Sequence, residues 1–322
     1  MTSPEQRDAS RPVMVVGVDG SPGARAALGY ALAAAASRGA ELQVVAGCAP
    51  QLYWTAGAPV VVPDVPAMRE ATLQRALEAV ESARHSVPEA ADVPVEVCVT
   101  VEPAAVELVR RSSRADLVVV GSRGHGAVRS ALLGSVALHV STHAACPVVV
   151  HPATRPSAGH TGSPRVVVGV DGSSTGRAGL AAAVEEAVRL RAELDVVACF
   201  TVEPYWADLW QVVVPSADEV REDVLREAQA QVAAVLAARP AEAPAPRVHV
   251  EVAQGAPADV LVQRARDAAL LVVGSRGHGA VRAALLGSVA LHCVMHAPCP
   301  VLVVHPEQTG AAEAALSGAG RG

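Results

Sequence analysis

Two stretches of this chain combine residue types that suit anion binding. The first reads G-S-R-G at Gly121, Ser122, Arg123 and Gly124 and resumes, after nine further residues, with G-S at Gly134 and Ser135. The second keeps the same count at Gly274, Ser275, Arg276, Gly277, Gly287 and Ser288. Glycines beyond the end of a strand let backbone N–H groups approach an anion, because no Cβ stands in the way. The second G-S opens a helix, whose unpaired amides and dipole favour phosphate. A serine hydroxyl adds a donor. Arg123 and Arg276, with Arg129 and Arg282 further on, could pair with phosphate or face water. One pair of glycines alone reads as a tight turn; two copies of the full G-x2-G-x9-G-S spacing do not.

Other chemistries fit these residues less well. His139 and His143, like His292 and His296, are spaced to share one helix face, but neither a carboxylate nor a third histidine completes a metal set. Only Cys146 and Cys299 stand near enough in sequence to be considered, so no metal site is expected. Ser122 and Ser275 lie in G-S-R-G rather than G-x-S-x-G, so the nucleophile elbow of a hydrolase is not matched. His125 and His278 could orient a water toward a phosphate, or be loop histidines in solvent. The chain contains no lysine, which removes a Walker-type phosphate loop and any Schiff-base mechanism.

The elements that position these motifs repeat. VMVVGVDGSPGARAAL, beginning at Val13, returns as VVVGVDGSSTGRAGL, beginning at Val166. VVVGSRGHGAVRSALLGSVALHV, from Val118, returns almost unchanged from Leu271. HAACPVVVHP and HAPCPVLVVHP close the two copies. In the first copy the pattern predicts strands at 13–18, 42–48, 93–101, 117–121 and 148–151, with helices from Pro22 to Arg38 and at 66–85, 103–113 and 135–143. Ser21 and Pro22 supply an N-cap and a preset first turn. The second copy repeats this order, with its long helix at 218–238.

Strands alternating with helices give βαβ units and a parallel sheet. The expected fold is two tandem doubly wound α/β domains, each with five parallel strands in the order 3-2-1-4-5 and a ligand beyond the carboxyl ends. The domains span 1–152 and 164–306, joined by a Pro/Gly/Ser/Thr-rich linker at 153–163 and followed by a tail at 307–322 expected to be disordered. The short apolar edges at 146–151 and 299–305 are a liability unless covered, so the two domains should pair through them.

Composition agrees with that plan. At 322 residues the chain is about twice the usual ~150-residue domain. It is 51% hydrophobic but only 2% aromatic, so the cores must be built from Val, Leu and Ala. A net charge of -6 without a basic tail argues against nucleic acid as a partner. No apolar leader opens the sequence, and the uncharged stretch at 42–63 is broken by Pro50, Pro59 and Pro63, so neither export nor membrane insertion is expected. Six cysteines without a C-x-x-C pair fit a reducing cytoplasm.

With its openings V-G-V-D-G-S and endings C-P-V-x-V, the G-x2-G-x9-G-S spacing resembles the ATP-binding class of universal stress proteins, over 13–151 and 164–305. The resemblance implies an ATP site in each domain, with Mg²⁺, and a role as a nucleotide-dependent regulator in stress, acting on a protein partner the sequence does not name. It places Asp19 and Asp171 at the adenosine, beside Gly17 and Gly169, with Gly47 and Cys199 near the adenine. It carries the phosphates on Val120, Gly121, Ser122, Arg123, Gly124, Gly134, Ser135 and Val136, and on Val273, Gly274, Ser275, Arg276, Gly277, Gly287, Ser288 and Val289. A weak ATPase and a nucleotide-free dimerising scaffold of the same fold are the alternatives, and a homodimer is compatible with all three. One departure stands out: Val101-Glu102-Pro103 occupies the place of Gly255-Ala256-Pro257. Glu102 could crowd a polyphosphate or serve a divalent cation, so the second site is expected to bind at least as tightly as the first.

Overall fold

The computed structural model describes residues 11–48, 64–124, 133–153, 163–201, 216–277 and 286–305. The first domain runs β1 (Val13–Val18), α1 (Pro22–Arg38), β2 (Glu41–Gly47), α2 (Val65–Ser86), β3 (Val95–Thr100), α3 (Ala104–Ser112), β4 (Leu117–Gly121), α4 (Ser135–His143) and β5 (Val148–His151). The second runs β6 (Arg165–Val170), α5 (Ser174–Arg189), β7 (Glu193–Phe200), α6 (Ala217–Ala237), β8 (Val248–Gln254), α7 (Pro257–Arg264), β9 (Leu270–Gly274), α8 (Ser288–His296) and β10 (Val301–Val304). Boundaries predicted from sequence differ by one or two residues at most ends, as helix and strand termini do. At β3 the start moves by two residues: after the 3-10 helix Pro88–Ala90 the Val93 N–H donates to Ala90 O at 3.2 Å, and the strand begins at Val95.

The strands form a single sheet in the order β3-β2-β1-β4-β5-β10-β9-β6-β7-β8. Each half has the expected 3-2-1-4-5 order, parallel throughout. The halves meet antiparallel, with Val150 opposite Val301 and Val148 opposite Val303. The exposed edges foreseen from sequence therefore cover one another.

Central strands such as β1 and β4 read as unbroken Val runs because helices bury them on both faces. One layer packs α1, α2, α5 and α6 against the sheet around Met14, Leu28, Val44, Leu180 and Leu194. The other packs α3, α4, α7 and α8 around Val118, Leu108, Leu261 and Cys293. In α1 the stripe Ala27, Ala31 and Ala35 is fully buried, small enough to bring the helix close to the strands. That helix begins where Ser21 Oγ accepts from Ala24 N at 3.1 Å and ends at Gly39, whose φ of 60° a residue with a Cβ resists.

A second contact between the domains was not foreseen. Arg38 of α1 and Arg189 of α5 share the carboxylate of Glu186, and Arg189 also donates to Ser37 Oγ at 3.0 Å. Burial, with the Arg38 charge beside it, pulls the Arg189 guanidinium down to about 10. Such partly exposed ion pairs contribute about 0–1 kcal/mol each. Val148, Val149, Val150, Val301, Leu302 and Val303 are all buried where the two edges pair. The apolar edge thus holds the domains together, and the ion cluster fixes how α1 and α5 face each other.

Candidate functional site

Each domain builds its site where strand order reverses, between β1 and β4 or between β6 and β9, at the carboxyl ends. After β1, the turn Asp19-Gly20-Ser21 requires Gly20 at φ 82°; after β6, Gly172 takes φ 80°. In these turns Asp19 Oδ1 accepts from Ser21 N at 2.9 Å, and Asp171 Oδ1 accepts from Ser173 N at 3.0 Å and from Ser173 Oγ at 2.6 Å. The Oδ2 atoms point across to the glycine loops: a Cβ on Gly277 would stand 2.7 Å from Asp171 Oδ2, and one on Gly124 would collide with Asp19 Oδ2.

The two halves of each glycine motif also meet. A Cβ on Gly134 would sit 3.5 Å from Arg123 Cα, and one on Gly287 3.4 Å from Arg276 Cα. Gly134 N donates to Ser122 O and Gly287 N to Ser275 O, both at 2.8 Å, closing the loop onto the helix start. α4 and α8 begin at these glycines with no side-chain cap and no acidic residue in the first turn. Their first amides face outward as an anion-ready end.

In the second domain a cavity of about 510 Å³ gathers Gly169, Asp171, Cys199, Val273, Gly274, Arg276, Gly277, Gly287, Ser288 and Val289. Val170, Gly176, Val197, Pro257, Leu261, Leu286 and Ala290 complete the wall and were not foreseen. Their only sequence signal is position beside a motif. A volume of this size falls within the usual ~300–1,000 Å³ of small-molecule sites. Cys199 serves as a small apolar wall: burial, with Glu251 nearby, pushes its thiol up to about 11. Gly47 holds the matching place in the first domain, where a Cβ would come within 3.3 Å of Ala104 Cβ.

Several predicted residues do other work. Ser275 is fully buried and Ser122 nearly so. Ser275 is absent from the cavity wall, and Ser122 and Arg123 line a separate groove of about 250 Å³ against the end of α8. Their amides bond His151 O and Val304 O at 2.7 and 2.8 Å, which ties the start of each glycine loop to the end of the neighbouring strand. Gly121 and Gly274 give room to a helix: a Cβ would stand 2.7 Å from Gly23 C and 3.0 Å from Thr175 C, while Gly274 also lines the cavity. Gly17 and Gly169 likewise admit Leu108 and Leu261, whose Cδ1 atoms lie 2.9 and 2.7 Å from where a Cβ would stand. Val120 is buried, Val136 is partly exposed on α4, and Ser135 and Ser288 are the first helical residues. Gly124 and Gly277 are not among the glycines with positive φ, so space and not backbone angle demands glycine there.

The departure at Glu102 also shifts. Pro103 is the N-cap of α3, whereas Ala256 is the N-cap of α7 and Pro257 its first residue. Counted from the helix, Glu102 stands opposite Gly255, which takes φ 145°. Glu102 is exposed and shares a surface groove with Arg69, Arg110 and Arg111. His125, Arg129, His278 and Arg282 lie outside the described residues. His139 and His143 stack at 4.3 Å, with His143 Nδ1 2.9 Å from His139 O, and His292 lies 3.3 Å from Asp259. Among the described residues no three His, Cys, Asp or Glu side chains converge as a metal set.

Fold and site together define a tandem doubly wound α/β protein with an anion-suited cavity at a topological switch point. The chain belongs to the universal stress protein family, which it matches over residues 11–152 and 163–305. It is 32% identical to a universal stress protein of Mycolicibacterium smegmatis over 91% of this chain and 97% of that one. It is 34% identical to one of Mycobacterium tuberculosis over 90% and 96%. A crystal structure of a universal stress protein from Archaeoglobus fulgidus shares the fold, with a TM-score of 0.61 at 21% identity over 92% of this chain and 97% of that one. Among the described residues no helix is long and apolar enough to cross a membrane.

Proposed function

We propose that each domain binds ATP and that occupancy biases the conformation or partner choice of the protein during stress. The observation that carries this reading is the second domain's cavity, in which Asp171, the Gly277 loop and the uncapped start of α8 converge. The phosphates lie against Gly277 and the first amides of α8, where dipole and unpaired N–H groups favour negative charge. The adenosine lies toward Asp171 and Cys199, with Val197 and Leu261 as apolar walls. Mg²⁺ prefers oxygen ligands and commonly binds through substrate phosphates with few protein groups, so its presence would not require a dedicated protein cluster. The first domain binds in the same manner through Asp19, Gly124 and the start of α4.

Mass spectrometry of small molecules released from freshly purified protein tests the identity of the ligand. Calorimetric titration with ATP should give two sites, with the second at least as tight as the first. Absence of heat with every nucleotide, with and without Mg²⁺, would refute the reading.

A further inference from the structure

Equivalent residues at the junction between the domains have diverged. On one side, Val294 of α8 faces the first loop across the groove that contains Ser122 and Arg123. There His151, which ends β5, keeps Nδ1 2.8 Å from Pro152 O and lies 5.7 Å from the Tyr30 ring. On the other side Val304 holds the place of His151, and the residue after it crosses over: His305 Nε2 lies 3.0 Å from the carbonyl of Ser141 in α4 of the first domain. Ser141 occupies the place that Val294 holds in the second copy, so an apolar contact on one side is a polar one on the other.

His305 follows Val304, whose carbonyl accepts from Ser275 N at 2.8 Å within the second glycine loop. Ser275 O in turn accepts from Gly287 N at the start of α8. Ser141 and Ser275 are fully buried, and among the described residues neither hydroxyl has a partner; nor does His305 Nδ1. Burial, with a smaller contribution from the Arg276 charge, holds the His305 imidazole below its ordinary pKa. A neutral ring donates from Nε2 to Ser141 O and leaves Nδ1 as an acceptor.

We infer that His305 is a positioning residue that ties the second glycine loop to α4 of the first domain. α4 is nine residues long, about 13 Å at about 1.5 Å per residue. Its amino end faces the first site and its last turns are held by His305, so a rigid helix connects the two loops. The tie itself stands on contacts in the ligand-free chain. Its consequence, that filling one site alters the other, rests on the nucleotide reading above and is reciprocal by linkage.

The test is hydrogen exchange on the full chain, comparing wild type, His305→Asn and His305→Gln. Asn is too short to reach Ser141 O, whereas the Gln amide nitrogen can take the place of Nε2. In the absence of ligand, His305→Asn should speed exchange about tenfold at the end of α4 and in the Ser275–Gly277 segment together, the scale of one lost hydrogen bond. His305→Gln should restore both. In a Gly124→Val background, ATP should slow exchange in α4, and adding His305→Asn should abolish that response while the second site still fills. Changes confined to one domain, or Gln behaving like Asn, would overturn the tie. Equal responses to ATP with and without His305→Asn would overturn the coupling. A chain that takes up no ATP sinks the function reading and the coupling, and the ligand-free comparison still decides the tie.

Discussion

The two domains carry the same glycine motif, with one difference at Ser130 and Ala283, in surroundings that differ. Gly23 of the first domain is Thr175 in the second, where its hydroxyl reaches Arg276 O; Gly47 is Cys199; Glu102 stands where Gly255 does. Among the positions that stay identical, a Cβ would strike backbone at Gly121 and Gly274 and a carboxylate at Gly124 and Gly277. What differs lies at the rim or at the domain junction. Space alone does not decide the rest: a Cβ on Gly23 would stand 2.7 Å from Arg123 O and one on Gly47 3.3 Å from Ala104 Cβ, yet the second copy carries Thr175 and Cys199 there, so the surroundings have shifted with the residue.

The sharpest way to break this comparison is to fill one loop at a time. Gly124→Val or Gly277→Val drives a branched side chain into Asp19 or Asp171 and blocks the approach to the backbone amides. Calorimetry should show two ATP sites reduced to one by either change and to none by both. Unchanged stoichiometry in the double variant removes the loops from the phosphate site.

Next in size is Gly121→Ala against Gly274→Ala. The added methyl meets backbone at 2.7 Å in the first case and 3.0 Å in the second. Overpacking of this kind costs about 1–3 kcal/mol, and the first variant should be the less stable in urea. Equal midpoints would show that α1 yields as easily as α5.

Glu186→Gln leaves Arg38 and Arg189 facing each other without a carboxylate. All three side chains are 11–18% exposed, so the cost should lie near about 1–2 kcal/mol, below that of a fully buried pair. Added salt should recover part of it by screening the two arginines. Insensitivity to salt in thermal unfolding would assign the loss to packing instead.

The smallest effect concerns His305 against His151. Because the folded-state pKa of His305 is lowered, the unfolded chain binds its proton first. Stability is therefore fully present above the unfolded value of about 6.5 and is lost as pH falls through the folded one. His305→Asn should flatten the slope of urea midpoint against pH below about 6.5. An unaltered slope would place the acid sensitivity elsewhere.

Much of the fold was legible because its signals are local. Val runs mark strands buried on both faces, Ser21-Pro22 marks a helix start, and the repeat doubles every signal. The pairing of β5 with β10 was legible for a different reason: a short apolar edge has few places to go. The site was legible in its outline, through Asp171, Gly277 and Gly287, whereas the buried place of Ser122 and Ser275 was not. A one-dimensional motif does not say which residues the fold buries, and the amides of both serines bond the end of the neighbouring strand. Glu102 was paired with the wrong partner because Pro103 and Pro257 look equivalent in the string yet occupy different helix positions. The cluster of Arg38, Glu186 and Arg189 brings together residues about half the chain apart, with no periodic pattern to announce it.

The antiparallel meeting of β5 and β10 has a consequence for valency. Strands on the two sides of the joint run in opposite directions while α1 and α5 stay on one face, so the domains are related by a half-turn about an axis through the sheet. The mouths at their carboxyl ends therefore open on opposite rims of the slab. No flat surface can cover both at once. A partner that recognises a mouth meets it twice per chain, back to back, which makes each molecule a two-ended connector rather than a two-toothed clamp.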